Sequence, residues 1–80
     1  MNVEVRLFAT LRRHLPAGGD GRCTRLELPA GASVDDACAR LRIPSGAAAI
    51  ILIDGRYEAD RRRSLTEGCV LSIFPPVAGG

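Results

Sequence analysis

The chain contains no lysine: all eleven basic residues of its 80 are arginine. It also has no tryptophan, one tyrosine and two phenylalanines, so any core it builds must be aliphatic. Three cysteines, Cys23, Cys38 and Cys69, are too few and too scattered for a disulfide framework or a zinc site with paired ligands, and reduced thiols in a cytoplasm fit them best. No apolar run approaches the length needed to cross a bilayer, and Met1-Asn2-Val3 leads directly into a strand pattern rather than a signal peptide. A cytoplasmic, soluble protein is expected. The formal net charge of +2 is too small to imply wholesale binding to nucleic acid or membrane. The missing lysines have two readings. A coding bias toward Arg, Ala and Gly would produce them, and so would selection against ε-amines able to attack an activated acyl group.

What is present is globular: 46% hydrophobic and 25% charged residues, enough for one small domain with a single core. From Asn2 to Ala9 the pattern alternates, with Val3, Val5, Leu7 and Ala9 on one face and Glu4, Arg6 and Phe8 on the other. Leu11–Leu15 suits a short helical turn and residues 16–21 a Gly-rich loop, after which Cys23–Leu28 completes an antiparallel hairpin. Ser33 offers an N-cap to a helix whose first turn carries Asp35 and Asp36, and Val34, Ala37, Cys38 and Leu41 form its apolar stripe. Pro44 and Gly46 stop it. The run from Ala47 to Ile53 reads as a strand buried on both faces, followed by a tight turn at Asp54-Gly55. Residues 56–63 suggest a short strand and an irregular segment, and Leu65-Thr66-Glu67-Gly68 a turn with one apolar anchor. Val70–Phe74 is a last strand with Leu71 and Ile73 inward and Val70, Ser72 and Phe74 outward.

The order strand, strand, helix, strand, weak strand, strand predicts an α+β fold: a mixed sheet of four to five strands, first and last strands adjacent in the middle, packed on one main helix. That is the ubiquitin-like β-grasp architecture. It would occupy residues 1–74, leaving 75–80 as a projecting tail.

The tail, Pro75-Pro76-Val77-Ala78-Gly79-Gly80, is the most informative segment. Gly79 and Gly80 have no side chains, so their backbone and a terminal carboxylate can enter a channel closed to other residues. Pro75 and Pro76 cannot donate to a sheet ladder and favour an extended path. They either project the tail or simply end an edge strand. Phe8, Val70 and Phe74 fall on the faces opposite the predicted core of the two central strands. Adjacency of those strands would gather them into an exposed apolar patch, the usual mark of a partner surface. Were the strand phase reversed, Phe8 would be core instead. Arg61, Arg62 and Arg63 suit either an acidic partner groove or a solvated loop. His14 has no recognisable catalytic partner and reads as a surface residue, and Cys69 as a small, partly buried one. Gly18, Gly19 and Gly21 lack the lysine and hydroxyl spacing of a phosphate-binding loop.

Two stretches, Val5-Arg6-Leu7-Phe8-Ala9-Thr10-Leu11-Arg12 and Phe74-Pro75-Pro76-Val77-Ala78-Gly79-Gly80, resemble the prokaryotic ubiquitin-like sulfur carriers of the MoaD/ThiS type, and both ends look most like the small subunit of molybdopterin synthase. Leu28-Pro29-Ala30-Gly31, Ile53-Asp54-Gly55-Arg56 and Leu65-Thr66-Glu67-Gly68 extend the likeness along the whole chain. Asp54-Gly55 and Glu67-Gly68-Cys69 stand where that family usually has Asn-Gly and Asp-Gly-Asp. The segment from Leu41 to Gly55 is short, closer to thiamine carriers. The resemblance implies no enzyme of its own but a protein cosubstrate. An E1-like partner would adenylate the Gly80 carboxylate with ATP, a sulfur donor would convert it to a thiocarboxylate, and Pro75 to Gly79 would thread the tail into a receiving enzyme. That enzyme would be the large subunit of molybdopterin synthase, in molybdenum cofactor biosynthesis, or alternatively a thiazole synthase. No bound cofactor, metal, nucleic acid or membrane is implied. A ubiquitin-like protein modifier and a plain β-grasp interaction domain are the other classes the sequence admits.

Overall fold

A computed structural model describes residues 1–16 and 21–76. Strand β1 (Asn2–Leu7) pairs antiparallel with β2 (Cys23–Glu27), from Asn2 opposite Glu27 to Arg6 opposite Cys23. A 3-10 helix (Ala9–His14) follows β1, and the main helix α1 spans Val34–Arg40. A short 3-10 turn (Ser45–Ala47) leads into β3 (Ile50–Ile53), which forms a hairpin with β4 (Arg56–Tyr57). Strand β5 (Val70–Phe74) then enters the middle of the sheet. It lies parallel to β1 and antiparallel to β3, giving the order β2-β1-β5-β3-β4. This is the expected β-grasp fold, with five strands.

Alternation on the central strands decides which face is core. Val3, Val5 and Leu7 of β1 and Leu71 and Ile73 of β5 are fully buried. Val34, Ala37 and Cys38 of α1 join them in one cluster, and Leu11, Leu26, Leu41, Ile51 and Leu65 close it. Helix α1 starts where the sequence supplies a reciprocal cap. Asp36 donates its backbone N–H to Ser33 Oγ at 3.3 Å, and Ser33 N–H donates to Asp36 Oδ2 at 2.8 Å. Two otherwise orphaned donors are thereby satisfied. The loop before β5 is pinned against this helix start: Asp35 N–H donates to the Arg61 carbonyl at 3.0 Å and Leu65 N–H to the Ala32 carbonyl at 2.8 Å.

Three expectations need correction. Ala9 does not continue β1: its φ of 52° turns the chain out of the sheet, and the residue is exposed. The strand after α1 is Ile50–Ile53 rather than Ala47–Ile53, and it is covered on one face only. Ile51 is buried, whereas Ile50 is 42% exposed. With a two-residue edge strand beside it, β3 has no element among the described residues packed on its outer side, and a uniformly apolar run concealed that asymmetry. His14 is half-buried, not a free surface residue, and its Nε2 is enclosed with no hydrogen-bond partner among the described residues.

Candidate functional site

The face of the sheet turned away from α1 is organised by strand register. Arg6 of β1, Ser72 of β5, Leu52 of β3 and Tyr57 of β4 form one row across the strands, because Arg6 pairs with Ser72, Ser72 with Leu52 and Leu52 with Tyr57. One step toward the C-terminal end of β5, Phe74 lies opposite Ile50. Phe8 completes this second row: its N–H donates to the Ile73 carbonyl at 3.3 Å, extending the parallel ladder beyond β1. The rings of Phe8 and Phe74 stack with centroids 4.1 Å apart and planes inclined by 11°.

Both rings are only half-buried, and with Ile50, half-buried Leu52 and 67%-exposed Tyr57 they form an apolar strip across a sheet face that no other element among the described residues covers. Such a strip costs solubility unless something covers it. It begins where the tail departs: Ala49 N–H donates to the Phe74 carbonyl at 2.8 Å as the last link to β5, and Pro75 and Pro76 follow with no N–H to offer. Strand pairing therefore ends beside the aromatic pair. Val77, Ala78, Gly79 and Gly80 lie outside the described residues.

Of the residues expected to meet partners, Phe8 and Phe74 are thus brought together. Val70 shares their face but sits at its other end, opposite Glu4. The three consecutive arginines diverge. Arg61 turns inward: Nη1 donates to the Ser45 carbonyl at 3.1 Å, and Nη2 donates to the Ala48 carbonyl and reaches the Ala49 carbonyl at 3.5 Å. It ties the loop to the entrance of β3. Arg63 pairs with Glu58 at 2.8 Å, and Arg62 is exposed. The Asp60 N–H donating to Glu58, with Arg63 beside it, holds the Glu58 carboxyl below the ordinary glutamate range. Cys69 is buried, away from the end where the tail leaves, so its thiol is a packing group. Burial likewise pushes the Cys38 thiol up, against a smaller opposing pull from Arg61. No group of three or more His, Cys, Asp or Glu side chains among the described residues could hold a metal ion, and none of their helices is long and apolar enough to cross a membrane.

Sequence reasoning missed Ile50, Leu52 and Tyr57 as members of this face. The first two sat in a run with no alternation to read, and Tyr57 in a segment too short to show a period. Only the observed register, which sets Ile50 beside Phe74, reveals them.

The fold has counterparts among known proteins. The small archaeal modifier protein 1 of Haloferax volcanii is 28% identical over 95% of this chain and 98% of that one, with a TM-score of 0.72. A candidate molybdopterin converting factor subunit 1 from Pyrococcus furiosus is 31% identical over 95% of this chain and 98% of that one, with a TM-score of 0.69. A chain from the complex of subunits 1 and 2 of the molybdopterin-converting factor of Helicobacter pylori, 22% identical over the full length of both chains, shares the fold at a TM-score of 0.64. No curated protein matches by sequence. Residues 5–80, from β1 through the glycine pair, match the ThiS family. The chain is a member of that family, the ubiquitin-like sulfur carriers of the MoaD/ThiS type.

Proposed function

We propose that the protein is a sulfur carrier whose working group is the Gly80 carboxylate. A carboxylate is a poor electrophile until it is given a good leaving group. Adenylation with ATP by an E1-like partner supplies AMP as that group, and displacement of AMP by a hydrosulfide equivalent from a sulfur donor leaves a thiocarboxylate on Gly80. The observation that carries this reading is the stacked Phe8–Phe74 pair, half-buried among the described residues and ending directly before Pro75 and Pro76. A docking surface placed there fixes the base of the tail, so that Val77 to Gly80 need only extend into a partner's channel. The family match running to residue 80 supports the same assignment.

The receiving enzyme we favour is the large subunit of molybdopterin synthase, with this chain as the small subunit and the catalytic groups on the large one. The 31% identical Pyrococcus protein supports that choice. Thiazole synthase in thiamine formation is the alternative recipient. The work would take place in the cytoplasm.

Intact mass after co-expression with an E1-like enzyme and a sulfur donor tests the carrier reading. A thiocarboxylate adds the fixed mass difference between sulfur and oxygen, and an unchanged mass with both partners active refutes it. A second reading, a protein modifier joined through Gly80 to lysines of other proteins, is favoured by the 28% identity to the Haloferax modifier. Lysine-linked adducts of the chain in cells would establish it.

A further inference from the structure

Eleven arginines give the chain its cations without a single ε-amine, and the chemical difference matters beside an activated tail. A guanidinium stays protonated at physiological pH and offers no lone pair to an acyl carbon, whereas lysines release a small fraction of free amine. One primary amine remains in the 80 residues, that of Met1, and the fold takes it into the sheet. Met1 N donates to the Leu28 carbonyl at 2.8 Å and Leu28 N–H donates back to the Met1 carbonyl at 2.8 Å, so the amine opens the β1–β2 ladder and is partly buried. Topology also sets it at the far end. Strand β1 runs parallel to β5, with Glu4 opposite Val70 and Leu7 opposite Ile73, so Met1 lies at the end of the sheet away from Phe74. From Phe8 back to Met1 is about 23 Å at about 3.3 Å per residue. Residues 75–80 at full extension span about 20–22 Å, and doubling back along the sheet shortens that reach. Other nucleophiles are no better placed. Cys38 and Cys69 are 5% and 3% exposed, Cys23 is half-buried, and His14 Nε2 is enclosed. An acyl group on a thiol would in any case remain an activated thioester that passes on.

We infer that the chain is a one-way acyl donor: its activated Gly80 passes to hydrosulfide or to an amine of another protein, and no copy of the chain accepts it. The inference rests on the carrier reading only for how Gly80 becomes activated. The excluded step is aminolysis. An amine nitrogen would attack the Gly80 acyl carbon and form a C–N bond. The C–O bond to AMP would break, its electron pair leaving on the phosphate oxygen, and the ammonium proton would pass to water. With its one amine held in the ladder, the activated chain does not end as a ring or as a string of copies. The acyl-adenylate is kept for the sulfur donor, and a chain acting as a modifier would be attached singly. Positive charge remains available for meeting partners, because arginine keeps the charge while withholding the nucleophile. Coding bias and selection against lysine lead to the same chemistry.

The test uses the full chain carrying a mercaptoethanesulfonate thioester on Gly80, installed by intein cleavage so that no activating enzyme is needed. At mildly alkaline pH the parent thioester is expected to yield only the hydrolysed acid, read by intact mass. Free lysine added to the same thioester should be acylated, which shows that the acyl group is reactive. Arg12→Lys, which shares a groove with Phe8 at the base of the tail, and Arg40→Lys on α1 should both produce ring or dimer masses that the parent lacks. Two glycines added before Met1 lift the amine off Leu28 and should do the same through the N-terminus. Peptide mapping locates each new amide. If either lysine variant loses the native spectrum, Arg62→Lys replaces it, because Arg62 is exposed. Ring or dimer formation through Met1 in the parent, at the rate of the lysine variants, overturns the proposal. So does the failure of every lysine variant to form an amide while free lysine is acylated, because something other than a missing amine would then protect the chain. An extended chain that stays unreacted overturns the part given to Leu28. The thioester is installed chemically and thiocarboxylation is read after co-expression, so either reading can fail while the other stands.

Discussion

Phe8 and Phe74 come from opposite ends of the chain and stack at 4.1 Å across the parallel junction of β1 and β5. Their pairing couples the strand that starts the fold to the one that releases the tail. Offset aromatic pairs contribute about 0.5–1.5 kcal/mol beyond the area they bury. A double-mutant cycle of Phe8→Ala and Phe74→Ala, read by chemical denaturation, should return a coupling energy in that range. Each single variant should also weaken binding to an activating enzyme or a synthase large subunit more than it weakens folding. Full additivity of the two substitutions would show that the rings do not touch in solution.

Arg61 and Arg62 are neighbours in sequence with opposite prospects. Truncating Arg61 removes donors from the Ser45 and Ala48 carbonyls, and a polar group left without its partner costs about 1–3 kcal/mol. Because Arg61 is only partly buried and water can replace some of the loss, Arg61→Met should destabilise toward the lower end of that range. Arg62→Ala should leave the denaturation midpoint within about 0.5 kcal/mol of the parent, as for most surface substitutions. Equal stability of the two variants would count against the Arg61 clasp.

Removing half of the reciprocal cap at α1 should be felt directly, because a seven-residue helix has little else to hold its first turn. Ser33→Ala is expected to cost about 1 kcal/mol, as N-cap losses typically do. Ser33→Thr keeps a hydroxyl that accepts from the Asp36 N–H and donates to the Asp36 carboxylate, and should recover most of it. Thermal or urea unfolding of the three proteins decides the point, and no difference between the alanine and threonine variants would contradict it.

The carboxyl of Glu58 titrates below its ordinary value of 4.5, chiefly because the Asp60 N–H donates to it and then because Arg63 pairs with it. A depressed folded-state value makes the contribution one of ionised glutamate. It is fully present above about pH 4.5 and is lost as pH falls through the folded value. Glu58→Gln should therefore flatten the acid limb of the stability curve below pH 4.5, with a small effect because its partner Arg63 is exposed and solvent screens the pair. An acid limb identical in the variant and the parent would remove Glu58 from the account.

Periodicity made the central strands legible. Val3-Val5-Leu7 and Leu71-Ile73 alternate cleanly, and their inward faces are the observed core. The same alternation placed Phe8 and Phe74 outside. Ser33, Asp35 and Asp36 announced the helix start, and Asp54-Gly55 the hairpin turn, where φ values of 52° and 83° are the positive pair such a turn demands. What escaped was set by tertiary context. Nothing local distinguishes Ile50 from Ile51, since only the edge position of β4 and the lack of a covering layer expose the first and bury the second. Likewise, three consecutive arginines carry no sign that the first turns inward to cap carbonyls.

Pro75 and Pro76 define where the sheet stops. The Phe74 carbonyl still accepts from Ala49, and the next two residues have no N–H with which to continue the ladder. Replacing both by alanine restores two donors and lets β5 extend along its neighbours, which would draw the start of the tail onto the sheet and shorten its reach. Folding stability should change by less than about 1 kcal/mol, because Pro75 is only partly buried and Pro76 is exposed, and surface changes of this kind are small. Thiocarboxylation of Gly80 by an activating enzyme should slow by a larger factor than the stability change accounts for. Amide exchange supplies the structural reading: protected N–H groups at the two new alanines would show the ladder extended. Full transfer rate in the double-alanine variant, with those amides exchanging freely, would mean that the prolines merely end the strand and take no part in projecting the tail.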